Sequence, residues 1–247
     1  MKTRITSFFA AAMFAVLFVP GVAHAEEPAW TSYRKVLKRY VRYGTVKGVK
    51  TAYVKYRSLR NSSDWKKTVN NLANYDVRKL KTRREKLAFY INAYNILAIK
   101  AIADRYPVRS IQDLKIWDRK VGKIGGKSYS LNHVEKRIVA RLADGRFHFA
   151  LVCAAVSCPD LRRTPYVAKY VYGQMNINAR SFLRNKTKGV QIAADGTAKG
   201  SELFYWYKND FGRWGGPEGF IKKYGKNVPA NLKLSGKIRY NWALNGR

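Results

Sequence analysis

The sequence predicts a single α+β domain, a small mixed or antiparallel sheet packed by helices. Three observations carry this reading. Apolar residues recur at three- and four-residue steps, above all Leu87, Tyr90, Ile91, Tyr94, Leu97, Ala98, Ala101 and Ile102, the period of a helix face. Short apolar runs of strand length lie between such stretches. The two kinds alternate irregularly, without repeated β-α-β units, and no linker, internal repeat or low-complexity tract divides the chain.

Residues 1–25 read as a cleavable leader. Lys2 and Arg4 form a charged start, residues 8–19 an apolar core, and Ala23-His24-Ala25 a small-x-small cleavage site. That core is too short for a membrane span of ~20 residues, and no cysteine follows Ala25 to take a lipid anchor. No later stretch is long and apolar enough to cross a bilayer. Export to a periplasm or beyond is the expected localisation. The division that follows is a leader at 1–25, an N-terminal helix at 26–48 and the main domain at 49–247.

Tyr33, Val36, Leu37, Tyr40 and Val41 mark one helix face over residues 30–43, ended by Gly44. Residues 49–56 suit a strand or extended connection. Ser63 or Asp64 can cap a helix that turns Trp65, Val69 and Leu72 inward. Thr82 starts the longest helix, and Pro107 stops it. Residues 120–129 read as a hairpin about Gly125-Gly126. Asn132 and Glu135 match a capping box for a helix to about Leu142. Residues 147–152 are expected to be an apolar strand that runs into a loop carrying both cysteines. A helix near 166–183, a strand at 190–192, an aromatic helix from Ser201 to Phe211, a short helix at 217–224 and a final strand at 237–242 complete the prediction.

Forty-nine Lys and Arg against 15 Asp and Glu give a formal net charge of +34 in 247 residues. A field of that sign attracts polyanions and anionic surfaces. In an exported protein these are lipopolysaccharide, anionic lipid or cell-wall polymer. Solubility alone is the competing explanation. The basic residues are scattered rather than gathered in an arm, and no recognition motif points to specific nucleic-acid binding.

Cys153 and Cys158 are the only cysteines. In an oxidising compartment they most simply form a disulfide; a nucleophilic Cys153 and inert free thiols are the alternatives. Their spacing is not C-x-x-C. His148 invites pairing with Cys153, but on a regular strand positions five apart face opposite sides. The dyad therefore needs a break in the pleat, and a structural His148 is the simpler reading. His133 is the other histidine after the leader, and its spacing from His148 and the cysteines matches no standard zinc frame. Neither a metal nor a cofactor is expected. Asn92 and Asn95, three apart on an almost wholly apolar helix, either tie down neighbouring loops or orient a substrate or oxyanion. Asp210-Phe211-Gly212 imitates a kinase triplet and residues 123–128 imitate the end of a phosphate loop; both lack the rest of their motif.

Several segments together resemble the domain-of-unknown-function 547 family: LAFYINAYNILAIKAI at 87–102, YPVRSI at 106–111, GGKSYSLNHVEKRIV at 125–139 and HFALVCAAVSCP at 148–159. FYWYKNDFG at 204–212 and YNWALN at 240–245 extend the likeness, which spans roughly residue 49 to the end. The resemblance maps motif positions onto Asn92, Asn95, Glu135, His148, Cys153 and Cys158. It also marks two departures, Lys136 where a histidine often follows the motif glutamate and Asn241 where aspartate is usual. Retention of His148 with Cys153 argues for a thiol site, which a bulge at the strand end would allow.

Two functions follow as expectations. One is an exported thiol-dependent hydrolase or acyltransferase acting on an anionic or envelope substrate. Cys153 would be its nucleophile, His148 its base, and Asn92, Asn95 and Glu135 would assist. The other is a non-enzymatic binding protein for anionic ligands with a structural Cys153–Cys158 disulfide.

Overall fold

A 21-residue helix, Arg83–Ala103, runs through the middle of the protein and is buried on nearly every side. Our computed structural model describes residues 30–246; the expected leader lies outside them. The helix starts where the sequence predicts. Thr82 accepts from the Glu85 N–H, and Glu85 accepts from the N–H of Thr82, a reciprocal cap that satisfies donors left open by the first turn. Around it pack helices, hairpins and a three-stranded sheet in one α+β domain.

The N-terminal helix is shorter than its apolar pattern, Thr31–Tyr40. From Val41 the chain becomes strand β1 (Val41–Val46), paired antiparallel with β2 (Val49–Val54). Lys47 and Gly48 turn the hairpin at positive φ, so Gly44 lies inside a strand instead of ending a helix. Helix Ser63–Asn74 is capped by Ser62, one residue before the expected cap, and buries Trp65, Thr68 and Leu72. The glycine hairpin is found: β3 (Gly122–Ile124) and β4 (Lys127–Tyr129) join through Gly125 and Gly126. A Cβ on Gly125 would meet the Tyr75 carbonyl oxygen at 2.8 Å, so the position needs glycine for space as well as for φ.

The segment expected to be a strand at 147–152 is not one. Residues Gly145–Phe149 form a buried 3₁₀ helix, capped by Asp144, and the chain then passes as loop into the cysteines. A short apolar run specifies burial without specifying strand. Side-chain amides take the place of a sheet partner: Asn178 donates to the Phe149 carbonyl and Asn95 to that of Ala150, while the Val152 N–H donates to Asn95 Oδ1.

The second half holds helix Val171–Arg184, preceded by a 3₁₀ turn at Ala168–Tyr170, and then β5 (Val190–Ile192) and β6 (Thr197–Ser201). The aromatic helix is broken into Leu203–Trp206 and a 3₁₀ stretch Lys208–Trp214. Helix Pro217–Tyr224 falls where expected. The last strand, β7 (Lys233–Ile238), lies earlier than predicted because it pairs parallel with β6, a non-local partner. Residues 240–246 instead cross the molecule as an extended segment fixed by single bridges, Ser110 to Ala243, Ala155 to Leu244 and Val54 to Gly246. Phe149, Phe182, Phe204, Phe211 and Phe220 form an aromatic core beside the main one.

Candidate functional site

The cysteine loop and the C-terminal segment meet at a cleft of about 330 Å³. Cys153 and Cys158 are joined as a disulfide, and both line the cleft with Glu135, His148, Tyr207 and Tyr240. While that bond stands, neither sulfur is a thiolate, so nucleophilic chemistry at Cys153 is closed in this state. Four hydrogen bonds hold the loop to the C-terminal segment. The N–H of Asn245 donates to Ala154, that of Val156 to Ala243, that of Ser157 to Asn241, and that of Asn241 to Ser157 Oγ. Asn241, the departure from the usual aspartate, thus serves the backbone of this loop, and its Oδ1 also accepts from the Ala243 N–H.

The same segment carries Tyr240 onto the disulfide. Its hydroxyl lies 3.3 Å from Cys153 Sγ and 3.1 Å from Cys158 Sγ. Burial, with Tyr207 and Glu135 nearby, pushes this phenol well above its ordinary value and keeps it protonated. The N–H of Cys153 also donates to Cys158 Sγ at 3.0 Å. Behind the loop, fully buried Lys188 donates to the Cys158 carbonyl, Asp160 Oδ1 and Thr51 Oγ1. Desolvation lowers this ammonium below the usual lysine value, partly offset by Asp160.

His148 does not pair with Cys153. Its Nε2 lies 2.7 Å from Asp210 Oδ2, and its ring stacks on Tyr207 at 3.9 Å. The hydrogen bond from His148 holds the Asp210 carboxyl below the usual range, against a smaller opposing effect of burial. An ionised carboxylate only accepts, so Nε2 carries the proton. The pleat argument against the dyad lapses with the strand, and His148 and Cys153 share one cleft by way of the 3₁₀ turn and loop.

Glu135 reaches the cleft for a reason other than capping. Asn132 is already helical and donates to Asp118, while Ser130 accepts from the His133 N–H and takes the role of cap. The helix then widens to a π-turn at His133–Val139, with the Ala140 N–H bonded to the Glu135 carbonyl; such bulges recur at functional sites. Glu135 faces Tyr94 and Tyr207, the latter at 3.5 Å, and both phenols are raised, by burial and then by this carboxylate. Lys136, the other departure, is exposed at the rim.

Asn92 and Asn95 do not line the cleft. Asn92 clamps the main chain of Tyr166 through both amide atoms, and Asn95 clamps Ala150 and Val152 in the same way. They are buried ties that set the path of the two loops. His133 sits edge-on against Tyr129, outside the cleft. Among the described residues no group of histidine, cysteine and carboxylate side chains could hold a metal ion, and no helix is long and apolar enough to cross a membrane.

Sequence reasoning missed Asp210, set aside as a false kinase triplet, and the aromatic wall. Trp206 and Trp242 stack at 5.8 Å, Tyr240 packs on both, and Trp117 meets Trp242 edge-on. The segments FYWYKNDFG and YNWALN held the signal for all of these except Trp117.

Neither curated proteins nor solved structures return a match. The model of the DUF547 family, described as a protein of unknown function, matches residues 77–183. That stretch includes both clamp asparagines, Glu135, His148 and the disulfide, but not Asp210 or the C-terminal wall. Over residues 77–183 the chain is thus similar to the DUF547 family.

Proposed function

We propose that the protein is an exported, envelope-associated binding protein. Its cleft would take a neutral saccharide segment while its outer surface adheres to anionic polymer. The observation that carries this reading is the lining of the cleft. Trp117, Trp206, Trp242 and Tyr240 offer flat apolar faces beside the acceptors Asp118 and Glu135, which suits a ring with an apolar face and a hydroxylated edge. Charge is divided in the same sense. A chain rich in Lys and Arg places only Lys136 in the cleft, against two of its few carboxylates. The attraction for anions therefore belongs to the outer face, and the cleft itself is no anion site.

The test is tryptophan fluorescence titrated with cell-wall amino-sugar oligomers. Saturable quenching is expected, weakened about tenfold or more in Trp242→Ala, the loss typical of a buried aromatic anchor. It should hold in high salt, whereas adsorption to anionic vesicles should fall, since exposed charges are screened beyond ~8 Å at physiological ionic strength. Absence of quenching, or quenching indifferent to Trp242, overturns the saccharide reading.

A second reading is favoured by His148, held by Asp210, sharing the cleft with Cys153. It is the thiol-dependent hydrolase or acyltransferase, with His148 as base, and requires reduced Cys153. Hydrolysis of an activated ester that appears only with reductant and disappears in His148→Ala would support it; hydrolysis independent of reductant would exclude it.

A further inference from the structure

We propose that Cys153–Cys158 is a redox-active disulfide that exchanges with an external dithiol, Cys153 being the sulfur attacked and Cys158 the sulfur that leaves. This adds an activity to ligand binding and does not depend on it. The disulfide contributes little to holding its own loop. The C-terminal segment already fixes residues 154–157 through four hydrogen bonds, and Lys188 and Asn95 hold the loop's two ends. A loop so tied keeps its place when the S–S bond opens.

The two sulfurs are also unlike. Cys153 is partly exposed at the cleft, whereas Cys158 is 1% exposed. Two donors converge on the buried one, the Cys153 N–H at 3.0 Å and the Tyr240 hydroxyl at 3.1 Å. Donors preset where charge develops stabilise it at no cost of reorganisation, and here that charge is the departing thiolate.

A thiolate of the dithiol bonds to Cys153 Sγ as the Cys153–Cys158 bond breaks, and Cys158 Sγ leaves with the electron pair. The second thiolate of the reductant then attacks its own sulfur in the mixed disulfide and releases Cys153. The dithiol is oxidised to a disulfide, the protein is reduced by two electrons, and the protons given up by the dithiol end on the two cysteines.

The test uses glutathione, a monothiol that stops at the mixed disulfide. Native protein is treated at pH 7, quenched with N-ethylmaleimide and mapped by mass spectrometry, with global unfolding measured in parallel by hydrogen exchange. The expected product carries glutathione on Cys153 and maleimide on Cys158, and forms faster than the protein unfolds. Tyr240→Phe should slow its formation about tenfold, the effect of losing one hydrogen bond to a charged group. Glutathione on Cys158, an even distribution, or formation no faster than global unfolding overturns the proposal. Should Tyr240→Phe not fold, the position and rate of the wild-type adduct decide alone.

Discussion

Replacing Asn95 by alanine removes one side chain and strands two main-chain groups. The Ala150 carbonyl loses its donor and the Val152 N–H its acceptor, in residues only 1% and 5% exposed. An orphaned buried polar group costs roughly 1–3 kcal/mol, so the pair predicts about 2–6 kcal/mol, toward the lower end if water reaches the gap. At about 2–4 °C per kcal/mol for a chain of this size, the melting temperature should drop by roughly 5–20 °C. Thermal unfolding followed by circular dichroism, with the disulfide intact, measures it. Asn74→Ala is the control: its amide bonds only to Asn70 on an exposed helix face, and a change within about 0.5 kcal/mol is expected. Asn95→Asp sharpens the test. The carboxylate can still accept from Val152 but presents a second oxygen to the Ala150 carbonyl. Burial raises its folded pKa, so its stability deficit should grow as pH rises above ~3.9. An unchanged melting temperature in Asn95→Ala, or a loss no greater than in Asn74→Ala, would refute the clamp.

Other outcomes follow from the same structure. Lys188→Met leaves Asp160 without its buried cation and should cost about 3–5 kcal/mol in denaturant titration; adding Asp160→Asn should recover part of that, and strict additivity would show the two do not interact. Burial works to raise the Asp144 carboxyl, but Arg146, with help from Arg213, holds it below the usual range. Its contribution is therefore present above ~3.9 and lost as pH falls through the lower folded value. Asp144→Asn should destabilise at pH 7 and give a shallower loss of stability in acid; identical acid profiles would count against the ion pair. N-terminal sequencing of protein from its producing cell should begin at Glu26, and an intact Met1 form would contradict export.

Elements announced by local chemistry were legible. The reciprocal cap at Thr82 and Glu85, the Gly125-Gly126 turn and the Pro217 start each specify a boundary within a few residues. Errors arose where a partner lies far along the chain. Residues 147–152 have the apolar content of a strand, yet their hydrogen bonds come from Asn95 and Asn178, which no local pattern reveals. Parallel pairing with β6 pulled the last strand back to Lys233–Ile238, leaving Tyr240 free to reach the disulfide. The sequence pairs Glu135 with Asn132 in a cap, but Ser130 takes the place of Asn132, and the π-turn that aims Glu135 has no sequence signature. The residues that the family likeness picks out, His148, Glu135 and the cysteines, line one cleft, but the likeness does not say that His148 turns to Asp210. Lys188, in an unremarkable Thr-Lys-Gly, gave no sign of being buried.

A closed disulfide lines the cleft, with no resting thiolate. The most direct measurement is intact mass after alkylation in denaturant without reductant, on protein taken from its native compartment and quenched in acid. The closed disulfide predicts no alkyl adduct before reduction and two after it. Two adducts without reductant would contradict it and return Cys153, beside His148, to the role of nucleophile.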